Sequence, residues 1–180
     1  MKKILFVVGS LRDNSFNLQL AKKAQELISN KAEVSYLDYS KLQLMNQDLE
    51  KTELPEIKEI RKQVLESDLI WVFSPVYNSQ MPGSIKNLLD WLSRSLDKTQ
   101  PKSISAINDK KVTVSCVAAK WHEKVFEQYK DLLTFIRANV VCDFTDVQIN
   151  PEAWSTGILT LSEESVQKLQ KQVKQVLQNL

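Results

Sequence analysis

The feature that most constrains the fold of this chain is a regular alternation of short apolar runs and longer segments with helical periodicity. Short runs of β-branched and aromatic residues predict strands, and apolar residues spaced three or four apart predict helices. Five strands alternating with five helices indicate a parallel sheet covered by helices on both faces. The predicted strands are Lys3–Val8, Glu33–Leu37, Leu69–Phe73, Val112–Val117 and Val140–Val147. The predicted helices lie near Phe16–Ser29, Glu56–Glu66, Ser84–Ser95, Lys124–Arg137 and Glu163–Leu177.

Right-handed crossovers leave few ways to order such strands. For a chain of 180 residues we expect the commonest arrangement, an α/β doubly wound sheet of order 2-1-3-4-5, as a single domain over residues 1–180. Ligands of such sheets bind beyond the carboxyl ends of the strands, between strands 1 and 3, where the winding reverses. The loops after those two strands are therefore the first places to search for a site.

The loop after the first strand has the composition of an anion site. Residues 9–17 read GSLRDNSFN and run directly into a predicted helix. The first turn of a helix has unpaired N–H groups and partial positive charge, so it favours a phosphate. Ser10, Ser15 and Asn17 add side-chain donors, and Arg12 is the loop's cation. Neither a three-glycine dinucleotide fingerprint nor a Gly-Lys-Ser/Thr loop is present, which favours a terminal monophosphate over a pyrophosphate.

The loop after the third strand combines rigidity with groups suited to a planar ring. Residues 74–83 read SPVYNSQMPG, in which two prolines restrict the backbone and Gly83 permits a turn into the next helix. We expect Ser84 to cap that helix. We expect Tyr77 to form a wall against a planar heteroaromatic ligand, and Asn78 to bond the ring edge together with backbone N–H groups.

The helix after this loop has two apolar faces. The stripe expected to face inward consists of Ile85, Leu88, Leu89, Leu92 and Leu96. Trp91 lies well off that stripe. A large aromatic side chain on an outer face usually marks an interface, so we expect Trp91 to be buried between subunits.

Charge and composition argue against several functional classes. A net charge of +2 without a basic stripe predicts no nucleic-acid partner. No apolar run is long enough to span a membrane, and because the chain opens directly into a strand we expect no signal peptide. Cys116 and Cys142 lie in apolar runs and are interpreted as buried reduced thiols of a cytoplasmic protein, with one disulfide as the alternative. A lone histidine, His122, supports neither a zinc site nor a nucleophile–histidine pair.

The two loops resemble motifs of the NADPH-dependent FMN reductase family, which includes quinone, azo and chromate reductases. Residues 9–17 are similar to the family's phosphate loop, G-S-x-R-x-x-S-x-N. Residues 74–92 are similar to its P-E-Y-N…P-G-x-x-K-N-x-x-D-W-x motif, and residues 44–49 resemble the family's segment after strand 2. The likeness is strong from Met1 to about Val117 and weak beyond.

The resemblance implies a flavodoxin-like fold, noncovalently bound FMN, and a homodimer or homotetramer built partly on the helix after the second motif. The residues that it implies for the FMN phosphate are Ser10, Arg12, Ser15, Phe16 and Asn17. The residues that it implies for the isoalloxazine ring are Pro75, Val76, Tyr77 and Asn78, and the loop after strand 4 adds Ser115 and Lys120 as cofactor contacts. Family members move a hydride from NADPH or NADH to the flavin and pass electrons to flavins, quinones, azo compounds or metal oxyanions. Because the cofactor carries this chemistry, we predict no catalytic side chain and no metal.

The chain departs from the family pattern in two places. Val76 stands where the family usually has Glu, and residues 115–122, SCVAAKWH, lack the glycines that the family has after strand 4. Alanine in a left-handed conformation costs roughly 1–2 kcal/mol. We therefore expect the loop at Ala118 and Ala119 to lie farther from the ring, with residues 120–122 filling the gap, and FMN binding to be weaker than is typical.

The sequence thus predicts an NAD(P)H-dependent flavin oxidoreductase that serves a small-molecule acceptor. Two alternatives remain open. An electron-transfer flavodoxin without nicotinamide turnover is ordinarily strongly acidic, unlike this chain at +2. A degenerate relative that keeps the fold and the oligomer but binds FMN weakly is compatible with the glycine-free loop.

Overall fold

Parallel strands in the order β2-β1-β3-β4 form the centre of the protein, and two short strands, β5 and β6, pair with successive parts of β4. The structure, a computed structural model, describes residues 1–52, 54–97, 99–100 and 103–180. The strands are β1 Lys3–Val8, β2 Glu33–Tyr36, β3 Leu69–Ser74, β4 Lys111–Ala118, β5 Asn139–Val140 and β6 Thr145–Gln148. The helices are α1 Phe16–Ile28, α2 Gln47–Glu50, α3 Pro55–Glu66, α4 Gly83–Leu92, α5 His122–Phe135, α6 Ala153–Thr156 and α7 Glu163–Gln178. The predicted flavodoxin-like order 2-1-3-4-5 is confirmed.

The predicted fifth strand is two strands, and this part of the expectation was wrong. Cys142 has φ 66° between them, and this left-handed residue turns the chain out of the ladder. The Asp143 amide then donates to the side chain of Gln175 in α7 at 3.2 Å, so it has a partner outside the sheet. β5 pairs with Lys111 and Val112, whereas β6 pairs with residues 115–118. The second part brings residues 149 onward to the carboxyl end of the sheet.

The sheet is buried on both faces. Helices α3, α4 and α5 pack on one face, and α1 and α7 pack on the other. Alternate residues of a strand point to opposite faces. Accordingly Leu5 and Val7 of β1 join the first layer, and Ile4 and Phe6 join the second. In the described part of the chain, no helix is both long and apolar enough to cross a bilayer.

Helix α4 corrects three expectations. Trp91 is 1% exposed within this single chain, and its indole N–H donates to the Gln43 carbonyl at 2.8 Å, so it is not an outward-facing interface residue. The helix ends at Leu92, which leaves Leu96 exposed rather than on the inward stripe. Ser84 is not the cap, because Pro82 occupies that position and the Ser84 hydroxyl donates to the Gly9 carbonyl at 3.1 Å.

Candidate functional site

Gly9 allows the loop after β1 to lie directly against the loop after β3. Its N–H donates to the Phe73 carbonyl at 2.8 Å, which ties the two strand ends together. A Cβ atom at this position would lie 2.9 Å from Cδ of Pro75 and 3.1 Å from Cγ of Pro82. The approach of the two loops therefore depends on the missing side chain.

The first turn of α1 presents donors toward the space between these loops. Ser15 caps the helix: its hydroxyl accepts from the Leu18 amide at 3.2 Å, and its own amide donates to the Arg12 carbonyl at 3.2 Å. The amides of Phe16 and Asn17 lie in the first turn, where no intrahelical carbonyl is available. The first turn carries no acidic residue. This end of the helix has the positive character that binds an anion.

Two side chains add to the anion-binding character of the α1 N-terminus. The Arg12 guanidinium lies over the Phe16 ring, 5.3 Å from its centroid, while Arg12 itself remains exposed. Asn17 is buried, and its side-chain oxygen accepts from the Val117 amide at 3.3 Å. This leaves the Asn17 side-chain NH₂ as the group that can donate to a ligand.

A tight turn forms the second wall. Tyr77 and Gln80 exchange two backbone hydrogen bonds of 3.0 Å, and Asn78 and Ser79 between them have φ 51° and 63°. Two consecutive left-handed residues define a type I′ turn. Gln128 of α5 supports it, because its side chain accepts from the Met81 amide at 3.0 Å and donates to the Ser79 carbonyl at 3.3 Å.

Two phenols fix the carbonyl groups at the ends of the central strands. Tyr129 donates to the Ser74 hydroxyl at 2.8 Å, and that hydroxyl donates to the Pro75 carbonyl at 2.8 Å. Tyr39 donates to the Val8 carbonyl at 2.7 Å. Burial raises the pKa of Tyr39 to about 12 and raises that of Tyr129 as well, so both remain protonated donors at neutral pH.

The third wall follows β4. Ala118 ends the strand, and neither it nor Ala119 is left-handed. The left-handed residue is Trp121, at φ 69°, which stands just before α5. The two alanines therefore avoid the costly left-handed conformation, and the turn is made two residues later. His122 begins α5 with its Nε2 3.2 Å from the Val147 carbonyl.

These walls enclose one cavity of about 440 Å³ at the carboxyl end of the sheet. Ten of the eleven predicted cofactor residues line it. They are Ser10, Arg12, Ser15, Phe16, Asn17, Pro75, Val76, Tyr77, Asn78 and Lys120. The structure thus brings together residues that are more than 100 positions apart in the sequence.

Ser115 lies apart from this set. It is fully buried in β4, where its hydroxyl donates to the Gln172 side chain at 2.6 Å and accepts from the Trp71 indole at 2.9 Å. Its position three residues before the end of the strand directs it into the layer between the sheet and α7. The prediction that Ser115 contacts a cofactor does not fit this placement.

Four further lining residues are not among those predicted from the sequence. Ser79, Val117, Ile149 and Trp154 also line the cavity. Ile149 and Trp154 follow β6, and a strand parallel to β4 must deliver its next residues to the same edge of the sheet. Trp154 is 70% exposed and meets the Phe16 ring edge to face, with centroids 5.4 Å apart.

The chemistry of the lining suits a flavin mononucleotide. Its charged residues, among those the structure describes, are the cations Arg12 and Lys120, with no carboxylate. A helix N-terminus, hydroxyls and a guanidinium at one end match a phosphate dianion. Apolar and aromatic groups, with the polar side chain of Asn78, match a planar ring. A volume of about 440 Å³ lies within the range of small-molecule sites, about 300–1,000 Å³.

Comparison with known proteins gives the same result. The model of the NADPH-dependent FMN reductase family matches residues 2–147. A 2-hydroxy-1,4-benzoquinone reductase from Burkholderia sp is 40% identical over 93 residues, 51% of this chain and 50% of that protein. An NAD(P)H:quinone oxidoreductase from Solanum tuberosum is 37% identical over 97 residues, again 51% of this chain and 50% of the relative. These matches span about half the length of each relative.

A solved structure agrees over nearly the whole chain. The flavoenzyme NAD(P)H:(acceptor) oxidoreductase FerB from Paracoccus denitrificans superposes with a TM-score of 0.82 at 25% identity, covering 99% of this chain and 96% of FerB. An azoreductase from Bacillus anthracis shares the fold, with a TM-score of 0.61 at 18% identity and full coverage of both chains (100% each). The chain belongs to the NADPH-dependent FMN reductase family.

Proposed function

We propose that this protein is an NAD(P)H-dependent flavin oxidoreductase that binds FMN noncovalently and passes electrons to a small acceptor, a quinone in the first instance. The observation that carries the proposal is the single cavity in which the α1 N-terminus, the Tyr77–Gln80 turn and the end of β4 meet. The activity for which the family is named and those of the two quinone-reducing relatives support it.

The phosphate of FMN would be bound by the first loop. Arg12 supplies the opposite charge, and the Ser10 hydroxyl and the side-chain NH₂ of Asn17 supply donors. The Ser15 hydroxyl, which donates to the Ser10 carbonyl at 3.4 Å, would turn to the phosphate as a further donor. The first-turn amides of α1 add backbone donors. A ligand without the phosphate loses these contacts and keeps the remainder of the cavity.

The isoalloxazine ring would lie between the second and third walls. Pro75, Val76 and Tyr77 offer apolar and aromatic surface, and Asn78 offers an amide to the ring edge. Lys120 places a cation near the opposite wall, where it favours negative charge on a bound ligand. When bound, FMN supplies hydride acceptance from the nicotinamide and electron delivery to the acceptor, so the protein's part is to bind, orient and shield the ring.

We further propose a cytoplasmic location and assembly as a homodimer or homotetramer. The two cysteines, both free, support a reducing compartment. The oligomer is supported by the family resemblance alone, since Trp91 is buried within one chain. Flavins, azo compounds and metal oxyanions are the further acceptor classes to be compared with quinones.

Purification followed by an absorbance spectrum and FMN titration tests the first step. We expect a yellow protein or saturable FMN uptake, and Arg12→Ala should weaken FMN binding far more than riboflavin binding. Lys22→Ala, which removes an exposed cation of α1 outside the cavity, is the matched control and should change neither affinity. Failure to bind FMN would refute the proposal. FMN binding without NADH or NADPH oxidation would instead favour an electron-transfer flavodoxin.

A further inference from the structure

The segment that follows β6 is anchored on the phosphate loop. Gln19 of α1 makes the connection through one side-chain amide: its nitrogen donates to the carbonyls of Asn14 at 3.0 Å and Gly157 at 2.8 Å. Its oxygen accepts from the Leu159 amide at 2.8 Å. Gly157 has φ 72° and ends α6, which turns the chain back toward α1. Gly157 and Leu159 lie beyond position 147, where the match to the family model ends.

The same segment carries an aromatic contact to the cavity. Trp154 of α6 meets Phe16 at an interplanar angle of 80°, and the Arg12 guanidinium lies over the Phe16 ring. Phe16 is 6% exposed, whereas Arg12 and Trp154, which both contact its ring, are exposed. All three residues line the cavity. Phe16 therefore contacts both the guanidinium and the indole.

We propose that Trp154 is a positioning residue for phosphate recognition, acting through Phe16 to hold the Arg12 guanidinium at the mouth of the phosphate loop. This inference rests on the proposed function, because it assumes that the loop binds the FMN phosphate. An exposed arginine ordinarily samples many rotamers, and this freedom is lost when it binds. Contact with the Phe16 ring, which the core packs on and Trp154 contacts from the surface, reduces that loss.

A positioning role for Trp154 can be distinguished from the role of a residue that merely lines the cavity. A wall residue would support FMN and riboflavin alike, because the two ligands share the ring and the ribityl chain. A residue that acts through Arg12 supports the phosphorylated ligand specifically, and its effect disappears once Arg12 is removed. The ratio of the two affinities therefore distinguishes the two roles.

The experiment is a double-mutant cycle with Trp154→Ala and Arg12→Ala in the full chain, using FMN and riboflavin as probes and flavin fluorescence as the binding signal. We expect Trp154→Ala to weaken FMN by about three- to tenfold and riboflavin by less than about twofold. Trp154→Phe, which keeps an aromatic edge, should recover part of the loss. In the Arg12→Ala background, Trp154→Ala should have no further effect on FMN.

Phe135→Ala is the matched control, because Phe135 is exposed at the end of α5 and is not among the residues that line the cavity. It should leave both affinities unchanged. Equal losses for FMN and riboflavin in Trp154→Ala, or an undiminished loss in the Arg12→Ala background, would overturn the positioning role while leaving the proposed function intact. A parent protein that binds no FMN would overturn both.

Discussion

Replacing Gly9 with alanine tests whether the contact between the first two loops has the tightness that the structure shows. The new methyl group would lie 2.9 Å from Pro75 Cδ, 3.1 Å from Pro82 Cγ and 3.2 Å from Ile85 Cγ1. Two of these neighbours are rigid proline rings, and the third is fully buried in the core. Overpacking of this kind costs about 1–3 kcal/mol, and rigid neighbours favour the upper part of that range. We expect Gly9→Ala to lower the free energy of unfolding by about 2–3 kcal/mol.

Gly83→Ala provides a matched control within the same site. It adds the same methyl group at the first residue of α4, where no atom outside the adjoining backbone lies within 4 Å of the new Cβ. Since alanine also has the better helix propensity, we expect no loss and up to about 1 kcal/mol of gain. Urea denaturation of both variants without added flavin, monitored by circular dichroism, measures the difference in their free energies of unfolding. A Gly9→Ala protein within about 0.5 kcal/mol of the parent would refute the packing argument.

Three further changes have expected outcomes. Gly157→Ala should destabilise by about 1 kcal/mol through its left-handed φ of 72° alone, since no atom lies within 4 Å of the added methyl; an unchanged urea midpoint would contradict this. Gln128→Leu should raise hydrogen exchange at Met81 and weaken binding of the flavin ring, whereas Gln128→Glu keeps the acceptor for Met81; equal exchange in both variants would argue against Gln128 as the support of the Tyr77–Gln80 turn. Burial raises the pKa of Cys142 from 9.0 to about 11, so its contribution to stability is complete below pH 9 and lost between pH 9 and 11. The alkaline loss of stability should be smaller in Cys142→Ala, and an identical pH profile would exclude this thiol as a cause.

The central strands could be predicted closely from the sequence because burial on both faces leaves an unbroken apolar run. β1 has the predicted bounds Lys3–Val8, and β3 extends the prediction by one residue, Ser74. Parallel pairing and right-handed crossovers then restrict the order of strands. Once the order is known, the loops after β1 and β3 must be neighbours, which is why residues 10–17 and 75–78 could be placed in one site.

Trp91 shows what periodicity cannot supply. The spacing correctly separates it from the stripe of Ile85, Leu88 and Leu92, but a helix pattern does not say what covers its second face. The structure covers that face with the segment before α2: Asn87 accepts from the Met45 amide and donates to the Gln43 carbonyl, which also accepts from the Trp91 indole. Irregular segments have no periodic signal, so an exposed aromatic and one covered by a loop look alike in sequence.

At the third wall, the family's glycine pattern did not predict which residue of the loop after β4 is left-handed. Alanines at residues 118 and 119, where the family has glycines, predicted a loop displaced from the ring; in the structure the left-handed conformation falls on Trp121. Asn14, Asn78 and Ser79 adopt it in the other two walls, so all three loops contain left-handed residues that are not glycine. Such residues, which cost about 1 kcal/mol or more each, persist where surrounding contacts determine the backbone. Gln128 at the second wall and Gln19 at the first supply such contacts from helices. Glycine content alone is therefore a poor guide to whether this cavity can form, and polar side chains of the adjoining helices support the first two of its loops.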